Sequence, residues 1–370
     1  FNLKSDLQTL TDHFEQNYPR FHQLKYQNEL PKFTDWQQAL ASKDQALIEY
    51  FVGEKNSYCF ILWANGCEVV EIKHNDALFE SINQLKNSIN HLPADHEVLQ
   101  NYQNFTASTY ALYQSLLAEA LEKLPKSINS ICIIPDAELN HIPFDLLLME
   151  KPDDRIPDFS TEHLEYVLEQ YNISYDYSAT WMLKSQSNKN RKHNADFIAY
   201  APSFKKATDV AMNRSCVAGE LYDLACSAEE VEAIQGIYGG DVRMNTSAST
   251  ASFEEEAANY QVLHMATHAC VDEANPLFNK IFLTDDYLSN ADLYNTSLNA
   301  DLVVLSACNT GSGKLVKGEG VLSLARGFVQ AGCASSIVSR WSVDDCATSD
   351  IMQTLYRELK SGAKKDAALR

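Results

Sequence analysis

Two apolar runs in this chain end in residues that can do chemistry together. Val262-Leu263-His264-Met265-Ala266-Thr267 leads to His268, and Asp301-Leu302-Val303-Val304-Leu305-Ser306-Ala307 leads to Cys308, followed at once by Asn309-Thr310-Gly311. His268 and Cys308 stand 40 residues apart. A cysteine nucleophile needs a base to raise its thiolate fraction, so the two must meet in space rather than in sequence. Neighbouring parallel strands put their ends side by side, and an open α/β sheet presents its working groups at the carboxyl edge. On this reading Cys308 is the nucleophile and His268 the base. Backbone N–H groups at Asn309 and Gly311 would meet an oxyanion. The same pattern also fits a structural histidine and a cysteine packed as a small hydrophobe, and spacing alone does not separate the two.

The neighbouring candidates read differently. His264 lies four residues before His268 in wholly apolar company, which suits a satisfied core or supporting histidine better than a second base. A metal site using both is not expected, because no convergent carboxylate or cysteine pattern accompanies them, and no organic cofactor is called for. Cys270 is expected in a loop, and Cys333 and Cys346 as packing residues. Gly311-Ser312-Gly313-Lys314 lacks the GxxxxGK[ST] spacing of a phosphate loop. Its glycines are expected to allow a sharp turn and a mobile loop.

The elements that must position these residues are read from apolar periodicity. Residues 1–29 read as a helix and a short linker, the possible tail of a longer helical array. A short polar helix and strand 46–53 come next. Strand 57–64, the turn Asn65-Gly66 and strand 67–72 form a hairpin. Helices are expected over 76–91 and 96–124, then the apolar strand 130–135. Ser185 to Asn194 has no apolar residue and is the best internal boundary. A second series begins there: strand 197–202, helix 226–238, strand 241–244, helix 249–257 and the strand before His268. Then come a hairpin arm near 278–283, helix 289–295, the strand before Cys308, helix 319–331, strand 335–339 and helix 346–360. Alternating strands and helices predict a doubly wound, mostly parallel sheet with helices on both faces. The expected division is 1–34, 35–184 and 195–370.

Composition bounds the partners. The 370 residues are 45% hydrophobic and 22% charged, enough for two or three domains with sizeable cores. A net charge of −20 argues against nucleic acid or an anionic membrane as a general partner, since phosphate binding needs a basic face. No membrane-spanning run of about 18 apolar residues is present. Nine cysteines without paired spacing predict no disulfide framework and fit a cytoplasmic, reducing compartment. Phe1 is not an initiator Met and the chain stops within a helical pattern, so a piece open at both ends is expected.

Several ordered motifs carry a family resemblance over about 35–370. His264-Met265-Ala266-Thr267-His268 and Leu305-Ser306-Ala307-Cys308-Asn309-Thr310-Gly311 resemble H-x-A-T-H-G and L-S-A-C-N-T-G of the CHAT family. These are caspase-like domains associated with tetratricopeptide repeats. Gly318-Glu319-Gly320-Val321, Ser323-Leu324-Ala325-Arg326 and Ser339-Arg340-Trp341-Ser342-Val343-Asp344-Asp345 are similar to the family's later segments. Upstream, Ile134-Pro135-Asp136 with Leu139 to Phe144, and residues 46–53, resemble the family's P-D-G-x-L-x-x-[IL]-P-F and L-x-E-Y-F-V-G.

The resemblance implies a cysteine endopeptidase in the clan of caspases and separase, acting on a protein or peptide. An activating partner would be sensed by N-terminal helical repeats. The first α/β half would be a silent, pseudo-protease companion of the caspase-like half. The resemblance puts the base on His268 and the nucleophile on Cys308, with an oxyanion N–H at Ala269 beside the one already read at Asn309. Asp345 and Ser306 are taken as substrate contacts, Asp345 for a basic residue before the scissile bond, although an N-cap role for Asp344 or Asp345 is the simpler alternative. Two residues depart from the pattern. Ala269 replaces Gly, which would be costly only at positive φ, and Arg340 stands where Leu is usual. A catalytically silent caspase-like scaffold is the competing function.

Overall fold

The structure, a computed structural model, describes residues 31–41, 44–73, 76–90, 93–94, 96–152, 163–187, 191–204, 221–272, 274–307, 310–316 and 320–370. The helix expected over 1–29 lies outside these residues, as do Cys308 and Asn309.

The first sheet begins with helix α1 (Phe33–Ala41) and strands β1 (Gln45–Val52), β2 (Asn56–Trp63) and β3 (Gly66–Lys73). The β2–β3 turn falls at Ala64-Asn65, one residue earlier than expected, because Gly66 already pairs with Trp63. A Cβ on Gly66 would sit 2.3 Å from the Trp63 ring, so any larger residue would have to push that ring aside. Helices α2 (Asp76–Asn90) and α3 (Val98–Leu112) come next. The single helix expected to 124 is interrupted: α3 runs through a π turn, Tyr113–Leu117, into α4 (Ala118–Lys123). Tyr50 donates its hydroxyl to the Leu116 carbonyl inside that turn at 3.1 Å.

Strand β4 (Ser130–Ile134), helix α5 (Val167–Gln170), strand β5 (Asn172–Tyr175) and helix α6 (Ala179–Ser187) complete this half. The strand order is β3-β2-β1-β4-β5, with β1, β4 and β5 parallel and the hairpin antiparallel. Ile48, Ile61, Ile82, Leu85, Leu112 and Leu116 fill one face, while Leu40, Leu47 and Met182 pack on the other.

The second series is β6 (Ala195–Ala201), α7 (Ser227–Tyr238), β7 (Asp241–Met244), α8 (Thr250–Glu256), β8 (Tyr260–Ala266), β9 (Ala269–Cys270), β10 (Lys280–Phe282), β11 (Tyr287–Ser289), α9 (Asn290–Asn295), β12 (Leu302–Ser306), β13 (Gly313–Val316), β14 (Gly320–Ser323), α10 (Leu324–Ala331), β15 (Ser336–Val338), α11 (Asp345–Ser361) and α12 (Lys365–Leu369). Five strands form an all-parallel sheet, β15-β12-β8-β6-β7. Val231, Ile234, Met352, Leu355 and Tyr356 from α7 and α11 pack on one face. Phe253, Leu293 and Phe328 from α8, α9 and α10 pack on the other. This is the expected doubly wound α/β architecture, consistent with a caspase-like fold. The winding reverses between β6 and β8, which puts the crevice of the sheet at the carboxyl end of β8.

Three local expectations are corrected. Residues 320–323 form a strand rather than the start of a helix: β14 pairs antiparallel with β13, and α10 begins at Leu324 under a Ser323 cap. The stretch expected as a mobile loop therefore contains β13. A Cβ on Gly313 would lie 2.3 Å from the Leu322 carbonyl oxygen, so this glycine serves close strand approach. Cys270 sits in β9, paired with Lys280, not in a loop.

The halves touch through named groups. Ser130 donates its hydroxyl to the Asp366 carboxylate at 2.7 Å. Arg340 donates to the Asn140 carbonyl and lies over the Tyr175 ring, 5.2 Å from its centroid. The Arg that departs from the family's Leu thus joins the two sheets. Among the described residues no helix is long and apolar enough to cross a membrane.

Candidate functional site

The apolar run of β8 stops at Ala266, where the chain enters a clamped turn. Thr267 is buried and donates its hydroxyl to the Phe282 carbonyl at 2.7 Å. The Phe282 N–H returns to the His268 carbonyl at 3.0 Å. Strand β10 thereby fixes the backbone on both sides of the His268 amide. The imidazole is half-exposed and lies against Phe204, ring centroids 5.3 Å apart.

His268 Nε2 is 2.7 Å from the Tyr222 carbonyl oxygen. A carbonyl only accepts, so Nε2 carries the proton, and in the neutral ring Nδ1 keeps its lone pair. Among the described residues Nδ1 has no hydrogen-bond partner. Among the described residues this is the arrangement a general base needs: one nitrogen anchored, the other without a partner.

The β12 side is held as firmly. Strands β8 and β12 pair in parallel with Ser306 opposite Ala266. In sequence, His268 and Cys308 each lie two residues beyond that pair. The described residues flanking 308–309 are tied down. Thr310 is buried and donates its hydroxyl to the Leu305 and Ala307 carbonyls, both at 3.3 Å. Gly311 N–H bonds the Ser339 carbonyl at 2.8 Å, and the Ser312 hydroxyl bonds the Arg340 carbonyl at 2.8 Å. Ser339 donates its hydroxyl to the Ala307 carbonyl. Ser306 itself is half-buried at the strand end.

Ala269 opens β9, opposite Ile281. The non-glycine residues with positive φ are Asp44, Ala137 and Asn245, among the described residues, so replacing glycine by Ala269 costs no backbone strain. His264 is a core residue at 0% exposure, with Nε2 2.8 Å from Glu230 and Nδ1 3.1 Å from the Tyr356 hydroxyl. Both ring nitrogens are spoken for, which leaves it no role as a second base. Burial, then the Glu230 carboxylate, raises the Tyr356 phenol well above its ordinary range, keeping it a neutral partner.

The two aspartates at the start of α11 divide the roles that the sequence left open. Asp344 is the N-cap, accepting the Ala347 N–H at 2.9 Å. Asp345 instead accepts the Cys226 N–H at 2.6 Å. Cys226 is joined to Cys346 by a disulfide across 120 residues of chain. The absence of disulfides and the packing role expected for Cys346 are therefore both corrected. The two cysteines meet because the starts of α7 and α11 lie side by side. Cys270 is disulfide-bonded as well. Cys333 does behave as a packing residue: burial pushes its thiol up to about 12.

The ligand atoms of Cys226, Asp345 and Cys346 all lie within 4.8 Å of one another. The disulfide occupies both sulfurs, so this set offers a metal only one carboxylate in the bridged form. Sequence reasoning missed Tyr222, Phe204 and Cys226. Tyr222 acts through its carbonyl, which no side-chain motif encodes.

Comparison with known proteins gives one family. The CHAT domain family model matches residues 106–370. Over 82 residues the chain is 34% identical to tetratricopeptide repeat protein 28 of Mus musculus and 35% identical to that of Homo sapiens. Those stretches cover 22% of this chain and 3% of either relative, so the chain corresponds to a small part of those proteins.

Proposed function

This chain belongs to the CHAT domain family, and from that premise we propose that it is a cysteine endopeptidase using Cys308 and His268. The observation that carries the reading is the register of β8 and β12, which sets Ala266 level with Ser306 and leaves an anchored imidazole just beyond. Cys308 would attack the scissile carbonyl as the thiolate. His268 Nδ1 would take the thiol proton and later return it to the leaving amine. Backbone N–H groups of Ala269 and Asn309 would receive the oxyanion.

Ser306 and Asp345 would line the substrate site. One Asp345 oxygen already holds Cys226 N–H, so a basic side chain before the scissile bond would pair with the other oxygen. The substrate is a protein or peptide, and neither a metal nor an organic cofactor enters the chemistry. Residues 35–184 would form a silent companion to the catalytic unit 195–370, and 1–34 the end of a repeat array that receives an activating partner. Similarity to a tetratricopeptide repeat protein supports a role in protein–protein contact. A cytoplasmic location fits the four free cysteines, Cys59, Cys67, Cys132 and Cys333, among the described residues, and there the bonds at Cys226–Cys346 and Cys270 would be transient rather than structural.

The test is cleavage of a diverse peptide library by the full protein, compared with Cys308→Ala and His268→Ala. Loss of cleavage in both is expected. Cleavage that survives both, or labelling of another cysteine by an active-site thiol probe, would sink the reading and favour the scaffold. Asp345→Ala should lose cleavage after basic residues, and an unchanged preference rejects that role.

A further inference from the structure

The segment Leu221–Cys226 crosses from Phe204 to the start of α11 and carries the carbonyl that anchors His268. It buries little of its own surface: Tyr222 is 69% exposed, and Asp223 and Ala225 are exposed too. It is held instead by discrete attachments. Leu221 packs on Phe204, Cys270 and Phe282. Asp223 accepts the Phe204 N–H at 2.5 Å. Cys226 gives its N–H to Asp345 and its sulfur to Cys346. A segment with few buried contacts opens at low free energy unless something stronger pins it. The covalent bond is the strongest attachment here, and it responds to redox conditions. Cys226 is half-buried and Cys346 exposed, so the bond is within reach of a solution thiol.

We propose that the Cys226–Cys346 disulfide is a redox latch that positions His268, by keeping the Tyr222 carbonyl against Nε2 and so reserving Nδ1 as the base. The inference rests on the reading of His268 as the base. Opening requires a dithiol reductant. One of its thiolates attacks Cys346 Sγ, the S–S bond breaks, and Cys226 leaves as a thiolate that takes a proton. The second dithiol sulfur then displaces Cys346 as a thiol and closes a cyclic disulfide. Two electrons and two protons pass from the dithiol to the protein. With the latch open, the strap keeps only its non-covalent attachments. When the Tyr222 carbonyl withdraws, Nε2–H loses its acceptor and the two neutral tautomers interconvert freely. Part of the population then presents N–H, not a lone pair, at Nδ1. Cys226, Cys346 and Tyr222 are positioning residues; none needs to touch the substrate.

The experiment uses the full chain with ring-nitrogen-labelled histidine, whose nitrogen shifts report which nitrogen carries the proton. His268→Gln assigns the signals. Protein prepared without reductant should yield a linked Cys226–Cys346 peptide on mass mapping and a single His268 tautomer with the proton on Nε2. Cys346→Ser, a conservative change at an exposed position, should give mixed tautomers, as should dithiol treatment of the unmodified chain. The variant is decisive because reduction also opens the bond at Cys270. Should Cys346→Ser misfold, Cys226→Ala read in the same way takes its place.

Three outcomes would overturn the proposal: no linked peptide in the unreduced protein, an unchanged single tautomer in the folded variant, or a reduced protein that takes up zinc through Cys226, Asp345 and Cys346 and keeps the single tautomer. The tautomer is read without substrate. Lack of peptidase activity would therefore count against the proposed function and leave the latch standing.

Discussion

The two sheets each carry a titratable residue two positions beyond a central parallel strand, and they use it in opposite ways. In the first sheet it is Asp136, beyond β4. Its carboxylate accepts the Val52 and Ala137 N–H groups, each at 2.8 Å, so both oxygens are committed to backbone. In the second it is His268, beyond β8, with one nitrogen anchored and the other without a partner among the described residues. The carboxyl edge of a parallel sheet is a place where chemistry can be put, and one half of this molecule has filled that place with structure. Supply of a titratable group at the right position is therefore not what sets the two edges apart. What sets them apart is that in the second, among the described residues, one ring nitrogen has no partner while the backbone around it is pinned.

Substitutions at these groups test the contrast, and their effects should rank by how committed each group is. The largest loss is expected away from either edge, at the buried His264–Glu230 pair. Glu230→Ala leaves a fully buried ring nitrogen without its partner, which should cost about 3 kcal/mol by denaturant unfolding, the top of the range for an unsatisfied buried group. Asp136→Ala comes next. It strands two backbone donors and should cost about 1–3 kcal/mol. A neutral result there would erase the difference between the sheets. His268→Ala should change stability by no more than about 0.5 kcal/mol, since the ring is half-exposed and its one side-chain bond among the described residues is to a surface segment. A loss comparable to that of Asp136→Ala would make His268 a structural residue.

The smallest effect concerns thiols. Burial holds Cys59, in the first sheet, and Cys333, beside the second, at about 12. Neither should react with an alkylating probe at about pH 8, where exposed Cys67 should react readily. Labelling of Cys333 in the folded protein would show that its surroundings open.

The sequence carried much of this fold because the parallel strands are continuous apolar runs. Ser130 to Ile134 and Leu302 to Leu305 are buried on both faces, and their composition states it directly. The β13–β14 hairpin was not legible. Gly313 is in a strand because another backbone passes close by, and a glycine chosen for close approach looks like one chosen for a turn. The π turn at Tyr113–Leu117 hid inside a good helical pattern. At the site, His268 and its strand could be read from residue type and position. Its acceptor could not, being a backbone carbonyl 46 residues away. The Cys226–Cys346 bond was hidden for a similar reason, since 120 residues separate partners that only the packing of two helix starts brings together.

Arg340 gives the arrangement a thermodynamic consequence. Its side chain grips the Asn140 carbonyl of the first half, while its own carbonyl and that of Ser339 hold Ser312 and Gly311, on the far side of residues 308–309. One short loop is thus a shared boundary of both halves. If displacing the Ala137–His141 turn moves Arg340, it also moves the backbone that holds Gly311 and Ser312. In that case reciprocity follows: a ligand at the Cys308 position that shifts the loop changes the affinity of a ligand held by the turn by the same factor that the second changes the first.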